Sequence, residues 1–101
     1  MHKYEAMFIL RPDMNESERA SMFGQIKETF EKFSGQINNA DIWSEKRKLY
    51  FDITLKSKAI KFKDGLYYLV VFDAPPLEIK KISAAFRLNE SILRFMITAK
   101  E

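Results

Sequence analysis

Seven consecutive residues, Leu66 to Phe72, are apolar or aromatic, bounded by Gly65 on one side and by Asp73 and Pro75-Pro76 on the other. A strand covered on one face alone would alternate between apolar and polar residues. This run does not alternate. It therefore predicts a central strand over Gly65 to Asp73 whose outer face is also partly covered. Proline has no backbone N–H to give a ladder, but it fits the first turn of a helix. The strand must stop before Pro75, and a helix is predicted behind it.

The wider segment from Ile42 to Asp73 reads as two long strands joined by a lysine-rich connection. In its first half Leu49, Phe51, Ile53 and Leu55 alternate with Tyr50, Asp52, Thr54 and Lys56, the period of a strand with one buried face. Between Lys46 and Lys63 seven basic residues stand against one acidic residue, Asp52, a local charge of +6 in a chain whose total is +3. The positive charge is thus concentrated here, and the rest of the chain is net acidic. A charge run by itself describes a solvated face. Beside a strand rich in Tyr and Phe, it is also the mixture of a surface that meets RNA.

Taken in order, Lys3 to Leu10 predicts the first strand, with Tyr4, Ala6, Phe8 and Leu10 on one face and Lys3, Glu5, Met7 and Ile9 on the other. Arg11-Pro12-Asp13 ends it. Asn15 followed by Glu18 is a capping-box pattern, and Ala20, Met22 or Phe23, Ile26, Phe30 and Phe33 give the first helix its apolar side. Gly35 sits where such a helix stops. The second strand begins at Ile37 and runs to about Leu55, long enough that a bulge near Ser44–Lys46 is expected, re-aiming Trp43 and Leu49 independently. After the third strand, Leu77, Ile79 or Lys80, Ile82, Ala85, Phe86 and Leu88 form a weaker helical stripe. Asn89-Glu90 turns the chain, and Ile92 to Thr98 predicts a fourth strand with Leu93, Phe95 and Ile97 inward. The order β-α-β-β-α-β predicts an α+β fold: the ferredoxin-like split βαβ, a four-stranded antiparallel sheet with two helices on one face. Phe8, Ile26, Phe30, Leu49, Phe51, Leu69 and Phe95 are its expected core.

Such a sheet leaves one face without helices. Alternation places Glu5, Met7, Ile9, Tyr68, Val70, Phe72, Arg94 and Met96 there, too apolar a set for a plain solvated face, with Glu5 and Arg94 as a possible cross-strand pair. Chemistry is poorly provided for. Gly24, Gly35 and Gly65 are isolated, His2 is the only histidine, and there is no cysteine. No phosphate-binding glycine loop, metal site or nucleophile–histidine arrangement follows, so no enzyme, cofactor, metal or small-molecule substrate is expected. An acylphosphatase-like activity would need an arginine in a glycine-rich loop after the first strand, where only Arg11-Pro12-Asp13 stands. No apolar run approaches a membrane span, and residues 1–10 do not resemble an export signal. At 101 residues the chain is expected to be a single domain, 1–101.

The motifs, in order, resemble the family of the sixth protein of the bacterial small ribosomal subunit. That family opens with a Tyr-Glu pair, an apolar strand and a proline turn, matched by Tyr4-Glu5 and Phe8-Ile9-Leu10-Arg11-Pro12. Trp-Gly, two basic residues and Leu-Ala-Tyr-Pro-Ile follow; Trp43-Ser44, Lys46-Arg47 and Leu49-Tyr50-Phe51-Asp52-Ile53 stand here, with one extra residue before Leu49. Gly65-Leu66-Tyr67-Tyr68 meets a Gly-Tyr-Tyr-like third strand, and Phe72 with Pro75 precedes the second helix. Arg87, Asn89, Ile92, Leu93 and Arg94 complete the closing Arg-x-Asn-x-x-Ile-Leu-Arg.

The resemblance implies a cytoplasmic, non-enzymatic component of the ribosome that binds the central domain of small-subunit ribosomal RNA together with the subunit's eighteenth protein. Lys46, Arg47, Lys48, Lys56 and Lys58 are then expected to meet phosphates, with Arg87 and Arg94 as RNA or partner contacts. Met7, Ile9, Tyr68 and Phe72 are the expected partner-binding residues. The alternative is a ferredoxin-like protein–protein or dimerisation module without RNA binding, its lysines serving solubility. A conventional RNA-recognition domain fits less well, because Arg47-Lys48-Leu49-Tyr50-Phe51 lacks that module's glycine.

Overall fold

The structure is a computed structural model that describes the backbone of residues 2–55 and 60–100 and, within them, the side chains of 2–43 and 64–100. Lys56 and Lys58 lie outside the described residues, as do the side chains of Lys46, Arg47, Lys48, Leu49 and Phe51. The elements follow the order β1 (His2–Leu10), α1 (Glu16–Lys32), β2 (Gln36–Leu55), β3 (Ile60–Ala74), α2 (Ile79–Arg87) and β4 (Ile92–Ala99), with a 3-10 turn over Pro76–Glu78 leading into α2. One antiparallel sheet holds the four strands in the order β2-β3-β1-β4, and both helices pack on one face, the ferredoxin-like split βαβ. The predicted central strand is central: β3 lies between β2 and β1.

Local chemistry explains the boundaries. The Asn15 side chain accepts from the Glu18 N–H at 2.8 Å, and the Glu18 carboxylate accepts from the Asn15 N–H at 3.1 Å, so both halves of the capping box are made. At the far end of α1 the Ser34 N–H donates to the Glu31 carbonyl at 3.2 Å and the Gly35 N–H to the Phe30 carbonyl at 2.7 Å. This is a Schellman ending, which needs a left-handed residue after the cap. Ser34 takes that conformation, with φ 63°, rather than Gly35. The glycine serves a different need: a Cβ on Gly35 would stand 2.9 Å from the Phe30 carbonyl oxygen.

The core sits between the sheet and the helices. Ala6, Phe8 and Leu10 of β1 meet Met22, Ile26 and Phe30 of α1 and Ile82 and Phe86 of α2, all buried. Phe8 packs edge-on against Phe86 with centroids 4.9 Å apart, and Phe30 lies 4.3 Å from Phe72. Leu77 and Leu88 depart from the expected stripe and are 88% and 85% exposed. The 3-10 turn shifts the helical phase before Ile79, and Leu88 falls beyond the last helical residue. Ala20 is also exposed.

The larger correction concerns β3. Its register with β1 pairs Phe8 with Tyr68, Ala6 with Val70 and Tyr4 with Phe72. Paired residues share a face, so Tyr68, Val70 and Phe72 lie under the helices, buried, and not on the open face. Leu69, expected in the core, pairs with Met7 on the open face and is half-buried. Tyr68 stacks on Phe23 of α1 at 4.2 Å and 17°. Burial, and then the nearby Asp41 carboxylate, push its phenol above the ordinary tyrosine range.

Candidate nucleic-acid interface

β1 pairs with β3 only from Leu66 onward. Before that point the described partners of β3 lie on β2 alone: Gly65 with Arg47, Asp64 with Lys48, Phe62 with Ile53, Lys61 with Thr54 and Ile60 with Leu55. β2 and β3 thus continue past the sheet as a two-stranded ribbon, beginning five residues earlier on β3 than the predicted Gly65. The backbone positions of Lys46, Arg47, Lys48, Lys61 and Lys63 all fall at the base of this ribbon or on it. The bulge expected near Ser44–Lys46 is present, as register shifts between Ile42 and Ser44 and between Ser44 and Arg47.

The ribbon leaves the sheet at the Leu10 end of β1, which is also the Ile92 end of β4. One row of the open face there runs Arg94, Ile9, Tyr67, Ser44 across the four strands. At about 4.8 Å per strand, Arg94 stands roughly 14 Å from the Ser44 position. Arg94 therefore belongs to the same end and face as the ribbon's base. Arg87, exposed in the last turn of α2, lies in the helical layer on the opposite side of the sheet. The two arginines are not brought together on one face.

The open face is apolar at its centre, but with residues other than those expected from β3. Met7 and Ile9 are there and half-buried; Tyr67, Leu69 and Val71 take the places assigned to Tyr68, Val70 and Phe72. Met96 beside Met7 is 63% exposed. Asp73 carried the missed signal, since a carboxylate on the parity of Tyr67, Leu69 and Val71 marks the side without helices. The Glu5 carboxylate takes Lys100, at 2.9 Å, and not Arg94; Glu5 is registered with Thr98, whereas Arg94 is registered with Ile9. Trp43, which the strand pattern had not assigned to a contact, is 58% exposed and meets Tyr67 at 6.1 Å between centroids.

At the β1–α1 turn a hollow of about 580 Å³ is lined by Arg11, Asp13, Glu18, Gln25 and Ser91 among others. Its arginine is bound by its own loop: the Arg11 guanidinium donates to both Asp13 carboxylate oxygens, at 3.1 and 3.0 Å. Among the described residues no helix is long and apolar enough to cross a membrane.

Comparison with known proteins bears on the whole chain. The family model for ribosomal protein S6 matches residues 3–99. A small ribosomal subunit protein bS6 from Clostridium kluyveri is 35% identical over 101 residues, covering 100% of this chain and 99% of the relative. Another from Caldanaerobacter subterraneus subsp. tengcongensis is 34% identical over 97 residues, 96% of this chain and 95% of the relative. The crystal structure of 30S ribosomal protein S6 from Thermotoga maritima superposes with a TM-score of 0.82 at 24% identity, over 98% of this chain and 87% of that one, which supports the fold. The chain belongs to the ribosomal protein S6 family, and with it to the non-enzymatic, RNA-binding structural proteins of the cytoplasmic ribosome.

Proposed function

We propose that the whole chain, 1–101, acts as one RNA-binding domain that holds the central domain of small-subunit ribosomal RNA together with the subunit's eighteenth protein. The observation that carries this reading is the ribbon. A two-stranded extension bearing most of the chain's basic run projects from one end of the sheet, where it can reach phosphates that the compact part cannot. Lys46, Arg47, Lys48, Lys56 and Lys58 supply phosphate contacts, and Arg94 extends the positive end along the open face. Arg87, on the other layer, is assigned to a separate RNA or partner contact. Such contacts position the protein and read little sequence.

The partner covers the open face. Met7 and Ile9 remain its anchors, and Tyr67 and Leu69 replace Tyr68 and Phe72, whose rings are spent on the core. Apolar residues held half-exposed in a contiguous patch gain roughly 25 cal/mol per Å² when a second protein covers them, before ordering costs.

Mobility shifts on a central-domain transcript, with and without the eighteenth protein, test the assignment. With about four of these residues on phosphates at once, log K against log salt should fall with a slope near −3 to −4. The double variant Lys46→Gln/Arg47→Gln should flatten that slope by about 1.5–2. Binding that barely changes between roughly 50 and 200 mM salt would remove the lysines from the interface and favour the protein–protein module.

A further inference from the structure

Trp43 is the chain's single tryptophan, and it stands on an edge strand with 58% of its surface exposed. Indole is among the side chains that gain most from being covered. Its position is built by the backbone: β2 advances two residues, from Ile42 to Ser44, while β3 steps one, from Tyr68 to Tyr67. Trp43 is therefore the extra residue of a bulge, the device by which a strand re-aims a side chain. Tyr67 meets the indole at 6.1 Å and 59°, a tilted contact. Tyr67 supports the indole without stacking on it. The basic cluster Lys46-Arg47-Lys48 begins three residues further along the strand, at roughly 10–17 Å.

We propose that Trp43 is a stacking platform for one unpaired base of the ribosomal RNA, supported by Tyr67 and aimed by the bulge. The inference rests on the RNA-binding reading above. A ring face beside cations that track a backbone is the pairing that holds an unstacked nucleotide, the base on the ring and its phosphates on the cations. The three basic positions that follow Trp43 along β2 favour a nucleotide over an apolar protein side chain as the occupant.

One indole per chain makes the test direct. With 5-fluorotryptophan incorporated into this protein alone, a single fluorine resonance reports Trp43 in any mixture. The eighteenth protein is added first and a central-domain transcript second; beyond any shift that the partner causes through Tyr67, the resonance should move again with the RNA. In mobility shifts Trp43→Phe, which keeps a ring, should bind within about threefold of the parent, whereas Trp43→Leu should lose ~5–150-fold. Neither should change the salt slope, since no phosphate contact is removed. A resonance that moves with the partner alone, or a folded Trp43→Leu that binds like the parent, overturns the proposal. If binding of the parent still falls steeply with salt in that case, the RNA reading stands without the platform; a transcript that binds no form of the protein overturns both. Should Trp43→Leu misfold, the resonance on the parent chain still decides.

Discussion

Replacing Phe72 by alanine removes a ring that is fully buried, lies 4.3 Å from Phe30 and stacks on Tyr4 at 5.6 Å. Helix α1 and strand β1 hold their own geometry around it, so the space collapses only in part, and the loss should be about 3–5 kcal/mol. Leu69, three residues earlier on β3, is also large and apolar, but it is half-buried on the open face opposite Met7. Full burial of a leucine is worth roughly 1.5–3 kcal/mol, so Leu69→Ala should cost about 1 kcal/mol. A domain of this size has only about 5–15 kcal/mol in total, which makes the contrast easy to see. In urea, with about 1–3 kcal/mol per molar as the slope, the two midpoints should differ by roughly 1–2 M. Titration of the eighteenth protein should show the reverse order, with Leu69→Ala weakened and a folded Phe72 variant close to the parent. Equal losses of stability, or a larger loss at Leu69, would mean that the assigned faces of β3 are exchanged.

The end of α1 offers a second contrast. Ser34→Gly should stabilise the fold by about 0.5–1 kcal/mol by relieving a left-handed residue, while Gly35→Ala should destabilise it by about 1–3 kcal/mol because the new Cβ meets backbone; thermal melts of both variants check this. Asn15→Ala removes the side-chain acceptor of the Glu18 N–H, leaves the Asn15 backbone N–H on the Glu18 carboxylate, and should cost about 1 kcal/mol, measured in the same melts. The raised Tyr68 phenol predicts alkaline sensitivity. Above about pH 10 the unfolded chain gives up this proton while the folded chain keeps it, so stability falls as pH rises from there towards the folded value. Urea midpoints should decline less steeply with pH in Tyr68→Phe than in the parent; parallel declines would show that the phenol is not the cause.

The element order was legible because most segments announce themselves twice, by period and by punctuation. Asn15 with Glu18 opened α1, Pro75 closed β3, and the spacing of Met22, Ile26 and Phe30 set the buried side of the helix. The faces of β3 were not legible from its own residues. Tyr67, Leu69 and Val71 are as apolar as Tyr68, Val70 and Phe72, so alternation carries no parity, and only pairing with β1 supplies it. The early start of β3 was written in Ile60-Lys61-Phe62-Lys63, an alternation that its charges disguise as a connection. The candidate site suffered for the same reasons: Arg94 and Ile9 could be placed because their strands have one clear face, whereas Tyr67 and Trp43 depend on a bulge and a register. A bulge can be anticipated from excess length, as it was near Ser44, but the residue it turns outward is a property of the partner strand.

The broken register of β2 also bears on self-association. A 20-residue strand on the rim of a sheet offers a row of unpaired N–H and C=O groups to any other chain. Here that rim is interrupted between Ile37 and Asn39, Ile42 and Ser44, Ser44 and Arg47, and Lys48 and Ile53. Each break adds twist and leaves only short regular stretches, too short for a second copy to lengthen the sheet in register. Behind this rim lies Leu66 to Phe72, the segment of the chain best suited to stack into a cross-β fibril: seven residues, high β propensity, no charge and no proline. β1 and β2 occupy both of its flanks. The irregular strand thus acts as a blunted outer rail that keeps a fibril-prone segment from templating its own kind during synthesis at high concentration. Removing Asn38, the extra residue between Ile37 and Asn39, would straighten the rail, and its cost would show first as aggregation, before any change in the folded molecule's affinity for RNA.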